Sequence, residues 1–425
     1  MTSAARDVQR VYLLLTLLTT LATSFIWGVN TLFLLDAGLS NTEAFAANAF
    51  FSVGQVVFEV PTGVVADTRG RRFSFLLGAA TLLASTLLYL AMWEVSAPFV
   101  GWALASILLG LGFTFFSGAV EAWLVDALRA TGFVGNLETI FGRGQMVSGA
   151  AMLTGSLLGG IIAQATSLGV PYVLRALMLG VALVVAFFLM RDLGFRPRRD
   201  VSTATAVREV ARGTIEGGLR NRPVRWLMLA APFTRGVAFY GFYAFQPYLL
   251  ELSGDPGAYS IAGIAAAIFA AAQIVGGLVV PRIGRLFSRR TNALVLATAL
   301  DALLLLGIGL VGITDLGQMA LLMALGLLAG WALVSAIAMP VRQAFLNGII
   351  PSEQRATVLS VDSLMGSAGG VVAQPLLGRV ADVSGYAASY LVAAGVSALA
   401  IPFVLLARRE RAPSDPIGEA PAQAA

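Results

Sequence analysis

Seven charged residues interrupt long apolar stretches of this sequence, and they are the residues that could carry chemistry. They are Glu59, Glu121, Asp126, Arg175, Arg235, Asp301 and Asp362. A charge near the middle of an apolar span costs about 2.5–3.5 kcal/mol on insertion scales, so each of them needs a reason to be there. A carboxylate in a partly dry cavity takes up a proton readily, and a nearby arginine opposes that uptake. The chemistry open to this set is therefore proton binding and exchange of ion-pair partners.

The composition excludes most other kinds of chemical site. The chain has 425 residues, of which 58% are hydrophobic and 12% charged, about half the charged fraction of a soluble domain. It contains no Cys and no His, which excludes disulfides, thiolate metal sites and imidazole proton carriers. It also contains no Lys, and without the Gly-x4-Gly-Lys-Ser/Thr loop that route to ATP drive is excluded. We expect an integral membrane protein that is not an enzyme and holds no metal and no cofactor.

The apolar runs predict twelve membrane spans near the length of about 20 residues that a bilayer requires. The predicted spans are 11–36, 44–66, 73–93, 99–125, 140–167, 171–190, 224–252, 258–281, 291–312, 317–341, 356–381 and 387–407. Nearly all arginines fall in alternate loops or at the adjoining span ends, and basic loops stay in the cytoplasm. Both termini are therefore predicted to be cytoplasmic. The net charge of +5 follows from this topology and gives no reason to expect a nucleic-acid partner.

A short basic turn joins the second and third spans within Pro61–Phe73. Its frame is Gly-x3-Asp-x2-Gly-Arg-Arg, formed by Gly63, Asp67, Gly70, Arg71 and Arg72. Glu59, Gly63 and Asp67 are four residues apart and share one helix face. Gly63 would let another helix approach closely, and Gly70 would let the chain reverse. This spacing predicts a closely packed helix pair with a charge cluster at its cytoplasmic end.

This turn resembles the signature between helices 2 and 3 of the major facilitator superfamily, whose members are secondary transporters with twelve helices. An internal repeat supports the resemblance, which covers residues 11–407: the first four positions recur as Gly277, Pro281, Gly284 and Arg285. The resemblance implies an all-α integral membrane protein of twelve transmembrane helices in two pseudo-symmetric six-helix bundles. It also implies a substrate site near the midplane and transport by alternating access.

The same resemblance sets the expected domain organisation. We expect an amino-terminal bundle at residues 1–195, a basic cytoplasmic linker at 196–222, a carboxy-terminal bundle at 223–410 and a disordered cytoplasmic tail at 411–425. At the cytoplasmic gate, Asp126 is expected to pair with Arg71, Arg72 or Arg143 when that side closes.

The fifth span carries small residues in a frame similar to the glycine motif of drug:proton antiporters in this superfamily. The matching positions are Gly142, Gly155, Gly159 and Gly160, while Ala151 and Ser156 replace a glycine and a proline of that motif. The lost proline matters because it would kink the helix. Small residues also line any tightly packed membrane helix. Antiporter-type export and plain helix packing therefore both remain open.

The resemblance also places the coupling and cavity candidates, because spans one, four, seven and ten line the cavity of this fold. Glu121 lies on span four and Arg235 on span seven, so both are proton-coupling candidates, with a static ion pair as the alternative. Glu59 belongs either to coupling or to the packing of the gate. Asp362 is expected to face the Gly63 surface, and Asp301 to have a packing role. The expected cavity wall consists of Trp27, Asn30, Phe113, Phe116, Phe239, Tyr243, Gln246, Trp331 and Ser335.

An apolar wall with few polar groups suits an amphipathic ligand. We therefore expect proton-coupled export of small amphipathic or drug-like molecules by a monomer in the bacterial inner membrane. Its partners would be the small-molecule substrate, protons and the lipid bilayer, with no nucleic acid. The alternative is proton-coupled uptake of a polar nutrient such as a sugar or an organic acid. A third class, a membrane sensor or scaffold that does not transport, is disfavoured by the complete turn motif.

Overall fold

The apolar runs fold into helices. The computed structural model describes residues 2–116, 118–195, 197, 218–314, 316–317, 319–350 and 352–417. The helices are α1 Ser3–Trp27, α2 Asn30–Asp36, α3 Asn41–Arg69, α4 Arg71–Glu94, α5 Phe99–Phe116, α6 Ala119–Ala130, α7 Leu137–Ala165, α8 Gly169–Leu189, α9 Arg222–Ser253, α10 Tyr259–Leu286, α11 Arg290–Ile313, α12 Met319–Asn347, α13 Ser352–Ala398 and α14 Ala400–Arg409. Within the described ranges there is no β-strand, and Arg289 and Pro416 form an isolated antiparallel bridge. The expected all-α class is confirmed.

Local sequence signals explain where several of these helices begin and break. The side chains of Thr2 and Asn136 cap α1 and α7 by accepting hydrogen bonds from backbone N–H groups of the first turn. Gly118 has a φ of +67° between α5 and α6, and Gly385 has a φ of +82° inside α13. Because glycine tolerates positive φ, these two positions divide apolar runs that would otherwise continue as single helices.

Ten helical segments of the described residues are long and apolar enough to cross a membrane. The two last predicted spans merge into one such segment, Val358–Arg409, which contains the kink at Gly385. Helix α9 is not among the ten, and it carries Arg235 and Gln246 in its interior and Arg222, Arg225 and Glu251 towards its ends. A multi-pass membrane protein is therefore supported, while the number twelve stays a prediction.

The chain divides into two compact units that differ from the predicted halves by two short segments. The first unit comprises residues 1–39, 50–206 and 257–267, and the second comprises 40–49, 207–256 and 268–425. Residues 40–49, from the start of α3, thus belong to the unit that holds the later helices, and the start of α10 belongs to the unit that holds the earlier ones. The predicted linker at 196–222 lies largely outside the described residues.

Specific contacts within each unit account for these exchanged segments. In the second unit, the carboxylate of Asp382 accepts hydrogen bonds from the backbone N–H groups of Asn41 and Thr42, each at 2.9 Å. In the first unit, a Cβ on Gly160 would lie 2.8 Å from Gly263 Cα, which shows that α7 and α10 touch backbone to backbone. The carboxylate of Asp382 therefore holds residues 40–49 in the second unit, and the glycine contact holds the start of α10 in the first.

The tail predicted to be disordered is ordered up to Ile417, so the prediction for residues 411–417 is wrong. Asp415 is 1% exposed and forms an ion pair with Arg289 at 2.7 Å. The hydroxyl of Ser414 donates to the carbonyl of Phe345 at 2.7 Å, and the N–H of Ile417 donates to the carbonyl of Ser288 at 3.0 Å. The low apolar content of the tail predicted disorder, but polar contacts hold it in place. Residues 418–425 lie outside the described residues.

Candidate functional site

Three charged side chains meet inside the second unit. Arg235 of α9 and Arg342 of α12 both donate to the carboxylate of Asp362 of α13. Arg342 donates to each carboxylate oxygen through a separate Nη atom, and its Nη2 also donates to the carbonyl of Leu227 at 3.0 Å. Asp362 is 3% exposed. A buried carboxylate is tolerable only when it is paired and hydrogen-bonded, and two guanidinium groups meet that requirement here.

This charge cluster lies at the wall of a cavity of about 370 Å³. Asp301 is the other charged residue of that wall, and the uncharged polar groups are Thr234, Thr298, Ser335, Gln343 and Ser363. Most of the remaining wall is leucine, alanine, valine and methionine. Its volume and its few polar groups in an apolar wall are typical of a small-molecule site.

Asp301 is held by neutral donors. The indole N–H of Trp331 donates to its Oδ1 at 2.6 Å, and the hydroxyl of Ser397 donates to its Oδ2 at 2.5 Å. Trp331 is 1% exposed and packs edge-on against Phe269. The hydrogen-bonded packing role expected for Asp301 is therefore confirmed, and the same residue also faces the cavity.

The proton-coupling candidates are not brought together in one unit. Arg235 lies in the second unit, where its partner is Asp362. Glu121 lies in the first unit, exposed in the first turn of α6 directly after the break at Gly118. Glu59 is half-buried in α3. The coupling role of these residues stays a prediction.

Sequence reasoning missed Arg342 and misplaced Asp362. The tenth span was predicted to end at residue 341, which left Arg342 among the cytoplasmic arginines, but α12 continues to Asn347. Asp362 was expected to face Gly63, yet it points into the second unit between two arginines. The sequence did hold one signal for this pairing. Arg342 lies close to the end of a long apolar span, and a charge in such a place needs a buried partner.

The cavity candidates of the second unit have different environments. Ser335 lines the cavity beside Arg235. Trp331 is buried next to the cavity wall, where its indole N–H donates to Asp301. Gln246 is 0% exposed. Phe239 is 36% exposed, and Tyr243 is half-buried with its ring 5.4 Å from that of Phe242.

The candidates on α2 and α5 pack within the first unit. Asn30 is 8% exposed and accepts a hydrogen bond from the hydroxyl of Tyr172 at 2.8 Å. Phe116 stacks on Phe75 with ring centroids 4.7 Å apart. Phe113 meets Phe51 edge-on, and Trp27 is half-buried at the end of α1. The packing alternative thus describes the observed contacts of Asn30, Phe113 and Phe116.

Arg175 of α8 is a buried arginine of the first unit. It is 2% exposed, and its Nε donates to the hydroxyl of Thr86 at 3.0 Å while Nη1 donates to the carbonyl of Ala22 at 3.3 Å. These bonds join α8 to α4 and to α1. They give Arg175 a structural role within the unit.

The basic turn is closed by contacts that the sequence did not reveal. Arg71, the first residue of α4, pairs with Asp67 of α3 at 2.7 Å across the turn. Gly70 has a φ of +108°, and a Cβ there would lie 2.3 Å from Oδ2 of Asp192. Asp192 accepts a hydrogen bond from the N–H of Arg72 at 2.9 Å. The turn is therefore tied to the segment that follows α8.

The close helix contact expected at Gly63 is not seen among the described residues, and the pairing expected for Asp126 when the cytoplasmic side closes stays a prediction. A Cβ on Gly63 would have nothing within 4 Å, so none of the described helices packs closely on that face. Asp126 forms no ion pair with any other described residue, and Arg143 is exposed. Arg72 is engaged instead by the carbonyl of Phe187, to which its Nη2 donates at 2.6 Å.

The glycine motif of α7 is a packing surface over most of its length. A Cβ on Gly155 would lie 1.8 Å from the hydroxyl oxygen of Ser24, and one on Gly159 would lie 2.0 Å from the carbonyl of Phe25. Gly160 touches Gly263 of α10, whereas Gly142 has nothing within 4 Å. Three of the four glycines therefore permit close helix contacts, which matches the packing interpretation.

Comparison with known proteins identifies the family and the fold. The family model for the Major Facilitator Superfamily matches residues 12–300 and 233–424. An uncharacterized MFS-type transporter of Methanocaldococcus jannaschii is 22% identical over 185 residues, which cover 44% of this chain and 46% of that protein. The aligned part thus spans less than half the length of this curated relative.

Solved structures share the fold at low identity. The nucleoside transporter NupG matches with a TM-score of 0.76 and 12% identity, covering 95% of this chain and 99% of that one. The D-xylose-proton symporter matches with a TM-score of 0.69 and 17% identity over 95% and 97% of the two chains. The POT family transporter PepTSo matches with a TM-score of 0.71 and 14% identity over 96% and 99%. At these identities the likeness is one of fold.

Proposed function

This chain belongs to the major facilitator superfamily, and on that premise we propose that it is a secondary active transporter. It exports small amphipathic molecules in exchange for protons that enter the cell. It works as a monomer in a bacterial inner membrane, with both termini in the cytoplasm. The alternation of arginine-rich and arginine-poor loops supports this orientation.

The observation that carries the proposal is the shared carboxylate of Asp362 at the wall of an apolar cavity. Both guanidinium groups depend on that one carboxylate. Removing one partner of a buried pair costs about 3–5 kcal/mol, so the pairing cannot change unless another group compensates. A ligand anion that takes over an arginine from Asp362 is such a compensation, and by removing a positive charge from the carboxylate it also favours a proton on Asp362. Proton uptake and ligand binding are therefore coupled at this cluster.

Glu121 is the second candidate for the proton carrier. Its carboxylate is exposed in the first turn of α6, so no other side chain has to move before it can take up a proton. In this arrangement Glu121 would load the proton, and the Asp362 cluster would respond to the substrate.

The proposal is tested with purified protein in liposomes that contain a trapped pH-sensitive dye. A proton gradient is imposed, and lipophilic cations, dyes and organic acids are added one at a time. We expect proton release from the gradient to rise above the passive rate of protein-free liposomes only when a transported compound is present. If no compound moves protons while the protein is folded and correctly inserted, the proposal is wrong.

Uptake of a polar nutrient is the second candidate function. The specific observation in its favour is the set of five hydroxyl and amide side chains on the cavity wall: Thr234, Thr298, Ser335, Gln343 and Ser363. These groups could hydrogen-bond a polar ligand. In the liposome assay, uptake requires that substrate and protons cross in the same direction, which separates it from export.

A further inference from the structure

We propose that the cavity of the second unit binds the anionic group of its ligand through Arg235. The ligand class is a small amphipathic anion, such as a carboxylate with an apolar body. This inference rests on the proposed transport function for its biological meaning. The binding site itself stands on the geometry of the cavity.

Arg235 has most of its hydrogen-bonding capacity free. A guanidinium group carries five N–H donors, and among the described residues Asp362 is the partner of Arg235, through Nη2. The side chain of Arg235 is 30% exposed and lines the cavity. Its remaining N–H groups can therefore reach a ligand in the cavity, and their fork geometry matches a carboxylate.

Arg342 has the opposite arrangement. It holds Asp362 through both Nη atoms, and Nη2 also donates to the carbonyl of Leu227. Its side chain is 17% exposed. Arg342 and Asp362 thus form a fixed pair, whereas Arg235 makes one contact and can leave it. When Arg235 turns to a ligand, Asp362 keeps its bidentate partner.

The local charge favours an anion at this end of the cavity. Two guanidinium groups face one carboxylate, so the cluster of Arg235, Arg342 and Asp362 carries one excess positive charge. The other acid of the wall is Asp301, whose two oxygens accept hydrogen bonds from Trp331 and Ser397. Asp301 forms no ion pair with Arg235 or Arg342 within 4.0 Å. A ligand anion would supply the missing charge close to Arg235.

The rest of the wall suits an apolar body of modest size. Leu227, Leu294, Val334, Met339 and Val404 surround the polar groups. The volume of about 370 Å³ lies at the lower end of the range of small-molecule pockets. Burial of an apolar ring against these side chains adds affinity that does not depend on charge.

Gly366 makes room for the stem of Arg235. A Cβ at this position would lie 2.8 Å from Cδ and 3.2 Å from Cβ of Arg235. Because residue 366 has no side chain, the aliphatic part of Arg235 can pack directly against the backbone of α13. Gly366 is a positioning residue for the anion site.

The test compares three probes that share one ring system and differ in charge: naphthoate, naphthylmethanol and naphthylmethylamine. Each is titrated calorimetrically into the full chain in lipid nanodiscs. We expect naphthoate to bind at least about tenfold more tightly than the amine, as a charge-assisted hydrogen bond to arginine implies. Equal or stronger binding of the amine would overturn the anion assignment.

Variants locate the site. Arg235→Gln is expected to weaken naphthoate binding at least about tenfold and to leave naphthylmethanol unchanged, because the alcohol needs only the apolar wall. Arg235→Lys keeps the charge but loses the forked pair of N–H donors. Its affinity for naphthoate should therefore lie between those of the parent chain and Arg235→Gln. Gly366→Ala should weaken naphthoate by displacing the arginine stem. The matched control is Arg282→Gln, an exposed arginine of α10 whose Nη1 donates to the carbonyl of Leu278.

The fold of each variant is checked by its elution profile and its melting temperature. Arg235→Gln should remain folded because Asp362 retains Arg342. If folded Arg235→Gln binds naphthoate like the parent chain, the inference is wrong.

Proton movement in liposomes with the same probes separates this inference from the proposed function. Naphthoate binding that depends on Arg235 without proton movement by any compound would support the site and contradict transport. Proton movement by the amine above its passive rate in protein-free liposomes, without naphthoate binding, would support transport and overturn the anion site.

Discussion

Asp192 and Asp415 make the same contact in the two units of the chain. Asp192 follows α8 and accepts a hydrogen bond from the N–H of Arg72 at the start of α4, at 2.9 Å. Asp415 follows α14 and accepts one from the N–H of Thr291 at the start of α11, at 2.8 Å. A carboxylate at a helix N-terminus satisfies a free N–H and opposes the positive end of the helix dipole. The internal repeat therefore extends to the segments that follow the last helix of each half.

The Asp415→Asn variant tests how much this contact contributes to the free energy of unfolding. Asn removes the charge that pairs with the guanidinium group of Arg289 at 2.7 Å, and the residue is 1% exposed. We expect a loss of about 1–3 kcal/mol in the free energy of unfolding, measured by thermal unfolding in detergent. The control is Asp7→Asn, which removes an exposed pair with Arg10 and should cost at most about 1 kcal/mol. Equal melting temperatures for the two variants would contradict the prediction.

Two glycines of the basic turn should respond in opposite ways to alanine. Gly70 has a φ of +108°, and a Cβ would meet Asp192 at 2.3 Å, so Gly70→Ala should destabilise the protein by about 1–3 kcal/mol. Gly63 lies in α3 with open space around it, so Gly63→Ala should stabilise the helix by about 0.5–1 kcal/mol. The melting temperatures of the two variants check both signs. A stable Gly70→Ala variant would show that the turn can adopt another conformation.

The glycines of α7 allow a similar comparison. Gly159→Ala places a methyl group 2.0 Å from the carbonyl of Phe25, where backbone has to move, and overpacking of this kind costs about 1–3 kcal/mol or more. Gly142→Ala meets nothing within 4 Å and serves as the control. Size-exclusion chromatography after heating should show loss of the monodisperse peak at a lower temperature for Gly159→Ala alone.

Removal of the shared carboxylate should be more damaging than removal of an unpaired one. Asp362→Ala leaves Arg235 and Arg342 without their acid, and loss of one partner of a buried pair costs about 3–5 kcal/mol. Asp126→Ala, at a half-buried acid without an ion pair among the described residues, should stay within about 0.5 kcal/mol of the parent. Thermal unfolding of both variants measures the two losses of stability. Similar values would show that the arginines find other partners at low cost.

The coupling role of Glu121 is tested by Glu121→Gln. If Glu121 loads the proton, the variant loses proton-driven transport in liposomes while its yield and elution profile remain those of the parent, because the residue is exposed. Glu138→Gln is the control, since Glu138 is also exposed and also lies in the first turn of its helix, α7. Retained pH-driven transport by folded Glu121→Gln would exclude the role and leave Asp362 as the coupling residue.

The sequence alone determined the class of the protein and the position of its repeated parts. Length and hydropathy define the helices, because a bilayer sets the length of an apolar run. The reversal of the chain at Gly70 was predicted from the short turn between two apolar runs, and Gly70 has a φ of +108°. All of these properties are local, so a single stretch of chain is enough to reveal them.

Only the tertiary structure decided which distant groups meet. Arg235, Arg342 and Asp362 come from three helices, and no periodicity within one helix indicates that they converge. The same holds for Asp415 and Arg289, which turn a polar tail into an ordered segment, and for Gly159, whose small size serves contact with Phe25. The physical reason is that a buried charge can be satisfied by any partner of opposite sign within reach. Packing, which brings residues from different parts of the chain together, determines which partner that is.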